Sequence, residues 1–159
     1  MIPKRTYIPY VILFAIVMLA SISTSAQERG TTRETALAVE SGKVTDDLDG
    51  SDDTYWYKLT AGPGKVSITL EVTANETNAG ATLDVFGSGP RPILSNVLAQ
   101  GVDKGTERVE KSIRLTKQQS IFIRIKGIKY GDNGGTGSYT LTIDGGEKKD
   151  GGDVKPDKN

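Results

Sequence analysis

Five aspartates lie close together around a glycine and have the chemistry to bind a cation. They fall within eight residues, at Asp46, Asp47, Asp49, Asp52 and Asp53. Calcium takes several carboxylate and carbonyl oxygens from one flexible loop, so Asp49, Asp52 and Asp53 are the predicted metal ligands. Glu34 or Glu40 would add a further oxygen donor from the preceding segment. The spacing is not that of an EF-hand loop, and the alternative interpretation is a solvated acidic hairpin whose carboxylates accept hydrogen bonds from turn amides.

Aromatic residues that are expected to face outward are the second group that could bind a ligand. If residues 55–59 form a strand, Tyr57 shares the apolar face of Leu59 and Trp56 faces the other way. Phe122 likewise alternates with isoleucines. Trp56 and Phe122 would then form a platform for a sugar ring or an extended peptide, and Tyr130 would extend it. In the alternative interpretation the two rings cover a sheet edge or pack under loops, because isolated exposed apolar residues are common.

Composition excludes several kinds of catalytic site. The chain has no His and no Cys, so it cannot build a Ser-His-Asp or Cys-His nucleophile system, a thiolate zinc site or a disulfide. It has 20 Lys plus Arg and 20 Asp plus Glu, and a zero net charge gives no support to nucleic-acid binding. No Asp-Thr-Gly, Gly-x-Ser-x-Gly or Ser-x-x-Lys motif occurs, and acid pairs such as Asp84 with Glu110 would meet only by accident of topology. We therefore expect that the protein is not an enzyme.

Both ends of the chain differ in composition from its middle. A basic start, an uncharged apolar run at 11–20 and small residues ending at Ala26 are typical of a secretory signal peptide over residues 1–26. The apolar run is shorter than the roughly 20 residues that span a bilayer, which disfavours the alternative of a retained anchor; no stable membrane insertion is expected after cleavage. Residues 145–159 are rich in charge and glycine and predict a disordered tail. The folded domain is expected at 33–144.

The elements that must position these side chains are strands. Apolar and polar residues alternate with a period of two in eight segments, at 43–48, 54–60, 66–72, 82–86, 93–99, 109–115, 121–126 and 139–143. Glycine-rich turns such as those at 62–64 and 87–90 separate them. This pattern predicts an all-β protein with an antiparallel β-sandwich of about eight strands. A short helix is expected at 34–40.

Several motifs resemble a known bacterial family when they are read in chain order. They are DTYWYKL at 53–59, AGPGKVSITL at 61–70, LDVF at 83–86, IFIRIKG at 121–127 and GSYTLTI at 137–143. This order is similar to that of the pre-peptidase C-terminal domain, a family that includes the collagen-binding domains of clostridial collagenases. The resemblance implies a jelly-roll-like β-sandwich and a non-catalytic accessory module, and some members bind calcium near the aspartate-rich strand start. Tyr55 stands where the family usually has Asp, and Ile121 and Phe122 stand where paired tyrosines are usual.

These observations favour an exported, non-catalytic binding or accessory module, secreted or periplasmic, that recognises an extracellular polymer, protein or polysaccharide. An alternative is a structural or chaperone-like module that docks on a separately encoded secreted hydrolase or an envelope complex. Calcium could stabilise either one. No nucleic acid and no other cofactor is expected.

Overall fold

The computed structural model describes residues 30–131 and 135–145, and these form nine strands. The strands are β1 (Leu37–Ala38), β2 (Gly42–Leu48), β3 (Thr54–Ala61), β4 (Gly64–Ala74), β5 (Asn78–Phe86), β6 (Pro92–Val102), β7 (Thr106–Leu115), β8 (Gln119–Gly127) and β9 (Gly137–Asp144). The predicted signal peptide and the predicted tail from residue 146 onward lie outside the described residues. Within the described ranges, no helix has the length and apolar character needed to cross a membrane.

The strands form two sheets that pack face to face. The four-stranded sheet has the order β2-β9-β4-β7, and the five-stranded sheet has the order β1-β3-β8-β5-β6. With β1 set aside, the order is that of a jelly roll, in which eight strands fold back on one another as two Greek keys. All pairs among these eight strands are antiparallel. The predicted all-β, jelly-roll-like sandwich and its eight strands are confirmed.

The core lies between the sheets and takes alternate residues from every long strand. Its largest fully buried side chains include Ile68, Leu70, Ile121, Ile123, Ile125, Tyr139, Leu141 and Ile143. In β3 the face of Tyr57 is buried, as predicted from the position of Leu59. The Tyr55 ring stacks on that of Tyr139 with centroids 5.9 Å apart, and the Tyr57 hydroxyl is hydrogen-bonded to the Tyr139 hydroxyl. The strand alternation therefore turns one face of each sheet inward and leaves the other outside.

The predicted helix at 34–40 is wrong. The chain instead forms a turn, in which Thr32 and Thr35 are hydrogen-bonded to each other, and then enters β1. β1 runs parallel to β3 and pairs Leu37 with Tyr57. A seven-residue helix in water is marginal because nucleation is unfavourable. Pairing with the edge of β3 satisfies backbone groups and lets Leu37 and Val39 pack against the core.

Candidate binding face

Three rows of side chains cross the outer face of the five-stranded sheet. The strand register places Trp56, Arg124 and Asp84 in the middle row, across β3, β8 and β5. On either side lie a row of Lys58, Phe122 and Phe86 and a row of Thr54, Lys126 and Thr82. Neighbouring strands are about 4.8 Å apart and alternate residues about 7 Å apart, so the side chains of adjacent rows touch. We call the outward-facing residues of β3, β8, β5 and β6 the outer face.

Aromatic rings form a cluster on this face. The Trp56 ring lies 5.3 Å from the Phe86 ring, measured between centroids, at a tilt of 37°. Phe86 is only 7% exposed, whereas Trp56 and Phe122 are half-buried. The outward orientation of Trp56 and Phe122 follows the predicted alternation. Phe86, on β5, packs against Trp56 across the intervening strand β8 and so restricts the tryptophan ring.

Arg33 crosses the cluster from the segment that precedes β1. Its guanidinium carbon lies 4.5 Å from the Phe122 ring centroid and 5.7 Å from that of Phe86. The same group donates hydrogen bonds to the carbonyls of Gly87 and, at 2.9 Å, Gly89. Phe122 therefore packs under the N-terminal segment, as the alternative interpretation expected, while the arginine above it adds a positive charge to the outer face.

A buried aspartate fixes the second guanidinium. Asp84 is 3% exposed; its Oδ2 accepts hydrogen bonds from Arg124 Nε at 3.0 Å and from a terminal nitrogen at 2.8 Å. Its Oδ1 accepts the Asn96 N–H at 2.9 Å. Asn96 has a φ of 55° and interrupts the pairing of β6 with β5, and asparagine tolerates this left-handed backbone better than most residues. The Arg124 guanidinium carbon is consequently held 5.6 Å from the Trp56 ring centroid.

Tyr130 lies on the same face but farther along it. Its ring covers Gly80 of β5, where a Cβ atom would come within 2.5 Å of the tyrosine hydroxyl. Burial raises the pKa of Tyr130, and the nearby Glu107 carboxylate raises it further. The row of Thr82 separates Gly80 from the row of Trp56, so Tyr130 extends the outer face without touching the aromatic cluster.

The aspartate-rich segment shows no assembled cation site. Asp49 Oδ1 accepts hydrogen bonds from the Ser51 hydroxyl at 2.6 Å and the Ser51 N–H at 3.0 Å, and these bonds lower the pKa of Asp49. Asp52 and Asp53 line a shallow pocket of about 260 Å³ together with Thr31, Thr54 and Tyr55. No group of three or more acidic side chains in the described ranges is placed to hold a metal ion. Asp49 therefore acts as the hairpin interpretation expects, and calcium at Asp49, Asp52 and Asp53 stays a prediction.

The outer surface of the four-stranded sheet has a different chemistry. Its outward positions are rich in Thr and Ser, as in the Thr45–Thr140 and Thr73–Thr106 hydroxyl pairs. None of its strands places an aromatic ring outward. Glu110 faces outward here, on the opposite side of the sandwich from Asp84. The conceivable Asp84–Glu110 acid pair is therefore not formed.

The comparisons with known proteins found similarity to solved structures. No protein-family model and no curated protein sequence matches the chain. Similar solved structures include the pre-peptidase C-terminal domain of a Bacillus anthracis collagenase, with 17% identity, a TM-score of 0.43 and coverage of 69% of this chain and 94% of that one. This domain belongs to the family that the sequence motifs resemble.

Two further solved structures come from proteins of other kinds. PliG of Aeromonas hydrophila, a periplasmic inhibitor of g-type lysozyme, has 17% identity, a TM-score of 0.41 and coverage of 69% of this chain and 96% of that one. The CBM36-1 domain of a multidomain xylanase from the hindgut metagenome of Trinervitermes trinervoides has 21% identity and a TM-score of 0.39. The match covers 64% of this chain and 78% of that one. Identities and TM-scores this low support no conclusion about ligand or activity.

Sequence reasoning missed four members of the outer-face cluster: Arg33, Asp84, Phe86 and Arg124. One signal was present, because Asp84 and Arg124 each interrupt a short apolar run, in LDVF and IFIRI. Their pairing depends on the contact of β5 with β8, forty residues apart. Arg33 gave no signal, since it stands just before a segment, 34–40, that was expected to be helical.

Proposed function

We propose that this protein is an exported, non-catalytic binding module whose outer face recognises an extracellular polymer. One observation carries the proposal: Trp56, Phe86 and Phe122 form a cluster outside the core, braced by the guanidinium groups of Arg33 and Arg124. Apolar side chains grouped on a solvent-facing sheet surface commonly mark interaction sites. Rigid, half-exposed aromatic and arginine side chains are the usual anchors of binding surfaces because little conformational entropy is lost when they bind.

The length of the outer face suits an extended ligand. From Phe86 to Asn78, β5 advances about 27 Å at 3.4 Å per residue. The aromatic cluster occupies one end of this distance and Tyr130 the other. A polymer lying along the face would contact both ends, whereas a small molecule would contact one. We therefore favour a chain molecule, a polysaccharide or a protein segment, over a metabolite.

The proposed location is outside the inner membrane, in the periplasm or the extracellular medium. It rests on the signal-peptide pattern of residues 1–26. A chain with no Cys folds without disulfides, so its stability does not depend on an oxidising compartment. The polymer would accordingly be an extracellular one.

A second candidate function is docking on a separately encoded secreted hydrolase or envelope complex. β6 is an edge strand and carries no charged residue, and Ile93, Leu98 and Val102 on it are each about half exposed, at 48%, 47% and 50%. Exposed apolar residues on one edge are a common feature of protein interfaces. Stoichiometric co-purification of a protein partner from the host would favour this second function.

Trp56 makes the first function directly testable, because it is the only tryptophan in the chain. Tryptophan emission, excited selectively over tyrosine, therefore reports on the outer face. Titration with collagen-like peptides, neutral polysaccharides and acidic polysaccharides should give a saturable change in Trp56 emission with at least one polymer. Phe122→Ala should weaken that binding about tenfold, as expected for an anchor residue.

The matched control is Thr140→Ala, which removes an outward side chain from the opposite sheet. It should leave the affinity unchanged. If no polymer changes Trp56 emission and calorimetry finds no binding, the proposal fails. It also fails if Phe122→Ala lowers stability in urea but leaves the affinity for a bound polymer intact.

A further inference from the structure

We infer that the polymer bound by the outer face is an anionic polysaccharide, one that carries uronate or other acidic groups. This inference rests on the proposed function and specifies its ligand. It follows from the distribution of charge over the two outer surfaces of the sandwich, from the groups that hold the charges in place, and from the way the edges of the five-stranded sheet are closed.

The outer face has an excess of positive charge around Trp56. Lys58, Arg124 and Lys126 occupy outward positions of β3 and β8, and Arg33 lies over the same rows. The one acidic residue among these rows is Asp84, which is buried and already bonded to Arg124. The remaining cationic charge faces solvent, because Lys58 and Lys126 are exposed.

The opposite surface shows that this excess is local. The outward charges of the four-stranded sheet are balanced, with cations at Lys43, Lys65, Arg108 and Arg114 and anions at Asp47, Glu71, Glu110 and Asp144. Some of them are neighbours, as with Arg108 and Glu110, whose charged atoms are 3.8 Å apart. The excess of cations lies on the surface that carries the aromatic cluster, and an excess of this kind attracts an anion.

Aromatic rings hold the cations in place. The Lys58 ammonium lies 5.6 Å from the Phe122 ring centroid, and Arg124 is fixed between Trp56 and its aspartate. A cation that is already positioned loses little side-chain entropy when it meets a carboxylate. Acidic groups spaced along a polymer would meet these cations while its apolar ring faces contact Trp56.

Backbone groups that are already bonded at both edges disfavour an acidic peptide that would add as a strand, and so favour a polysaccharide. A peptide that adds to a sheet needs a row of open backbone groups. On one edge, β3 is covered by β1 and by Gly30, whose carbonyl accepts the Trp56 N–H at 2.7 Å. On the other edge, the Asn96 N–H turns inward to Asp84 and the Gln100 N–H is bonded to Glu107 at 2.5 Å. These contacts occupy part of each edge, which favours recognition through side chains on the face.

Glu107 makes the two ends of the outer face differ in charge. Its carboxylate accepts the Gln100 N–H, and Gln100 pairs with Gly80, the residue that the Tyr130 ring covers. The Tyr130 end of the face is therefore less favourable for acidic groups than the Trp56 end. We expect the acidic groups to lie over Lys58, Arg124 and Lys126.

The test uses the full mature protein and four probes: polygalacturonate, neutral galactan, dextran and polyglutamate. Polygalacturonate should bind, and binding should weaken as sodium chloride rises from about 0.05 to 0.5 M because salt screens exposed charges. The Lys58→Gln/Lys126→Gln variant should bind polygalacturonate roughly five- to tenfold more weakly. The matched control Lys43→Gln/Lys65→Gln removes the same charge from the opposite sheet and should change binding less than about twofold.

The outcomes separate this inference from the proposed function. Equal binding of galactan or dextran would overturn the anionic ligand and keep the polymer-binding module. Tighter binding of polyglutamate than of polygalacturonate would overturn it in favour of an acidic peptide. An equal loss in the two double variants would also overturn it. If none of the four probes binds but a collagen-like peptide changes Trp56 emission, only the inference fails; if nothing binds, both fail.

Discussion

At the scale of single residues, the sandwich contains a polar contact inside its core. Tyr57 and Tyr139 come from opposite sheets, are 3% and 1% exposed, and join through their hydroxyl groups. Burial strongly raises the pKa of Tyr139, and the neighbouring Tyr57 adds to the effect. The folded protein therefore keeps the Tyr139 proton at a pH where the unfolded chain has lost it.

This difference predicts a loss of stability in alkali. Below pH 10, the ordinary tyrosine value, both states are protonated and stability does not change through this group. Above pH 10 only the unfolded chain ionises, so the free energy of unfolding should fall by up to about 1.4 kcal/mol per pH unit through Tyr139. Urea unfolding at several values between pH 8 and 11.5 measures the slope.

Tyr139→Phe removes the group and should flatten the decline. Tyr130→Phe is the comparison, because Tyr130 is only half-buried and has a smaller effect on the slope. An unchanged slope in Tyr139→Phe would show that the buried hydroxyl pair does not govern the alkaline transition.

The sequence predicts which way a side chain faces where the alternation of apolar and polar residues determines it. The orientation of Trp56 and Phe122 follows from a period of two. The contacts of those rings could not be predicted, because Arg33 reaches Phe122 from a segment whose path depends on the edge of β3. The turn role of Asp49 was one of two interpretations, since the same carboxylates occur in cation loops and in hairpins.

At the scale of strands, the outer face exists because β3, β8 and β5 lie side by side in register. Trp56, Arg124 and Asp84 come from three strands that are distant in sequence, and the jelly-roll order makes them neighbours. The eight strands could be predicted from their alternation, whereas their order in the sheets could not, because alternation carries no information about partners. The segment at 34–40 was wrongly expected to be helical because its pairing with β3 is also a long-range contact.

Gly80 of β5 is the strand position that determines where Tyr130 packs. Gly80→Ala should push the Tyr130 ring off β5 and cost about 1–3 kcal/mol of unfolding free energy, the usual range for overpacking. Urea unfolding measures this loss. Gly89→Ala is the matched control, since a Cβ there has no atom within 4 Å and should cost little.

The double variant Gly80→Ala/Tyr130→Ala removes the clash and should recover part of the loss caused by Gly80→Ala. Equal and small costs in Gly80→Ala and Gly89→Ala would contradict the position of Tyr130 on the outer face.

At the scale of the whole molecule, the two outer surfaces have different compositions. One carries an aromatic cluster, fixed guanidinium groups and an excess of cations; the other carries hydroxyl groups and balanced charge. A sandwich needs only its inner faces to fold, and this difference between its outer surfaces is the basis on which we propose a role in binding. The net charge of zero for the whole chain gave no sign of it, because net charge averages over both surfaces.

The most direct test of this account is to map the binding surface by nuclear magnetic resonance with oligogalacturonate as the ligand. We expect shifts of the single Trp56 indole N–H signal and of backbone amides in β3, β5 and β8, with the amides of β2, β4, β7 and β9 unchanged. Saturable shifts that cluster on β2, β4, β7 and β9, with the Trp56 indole signal unmoved, would contradict the assignment of the outer face as the binding surface.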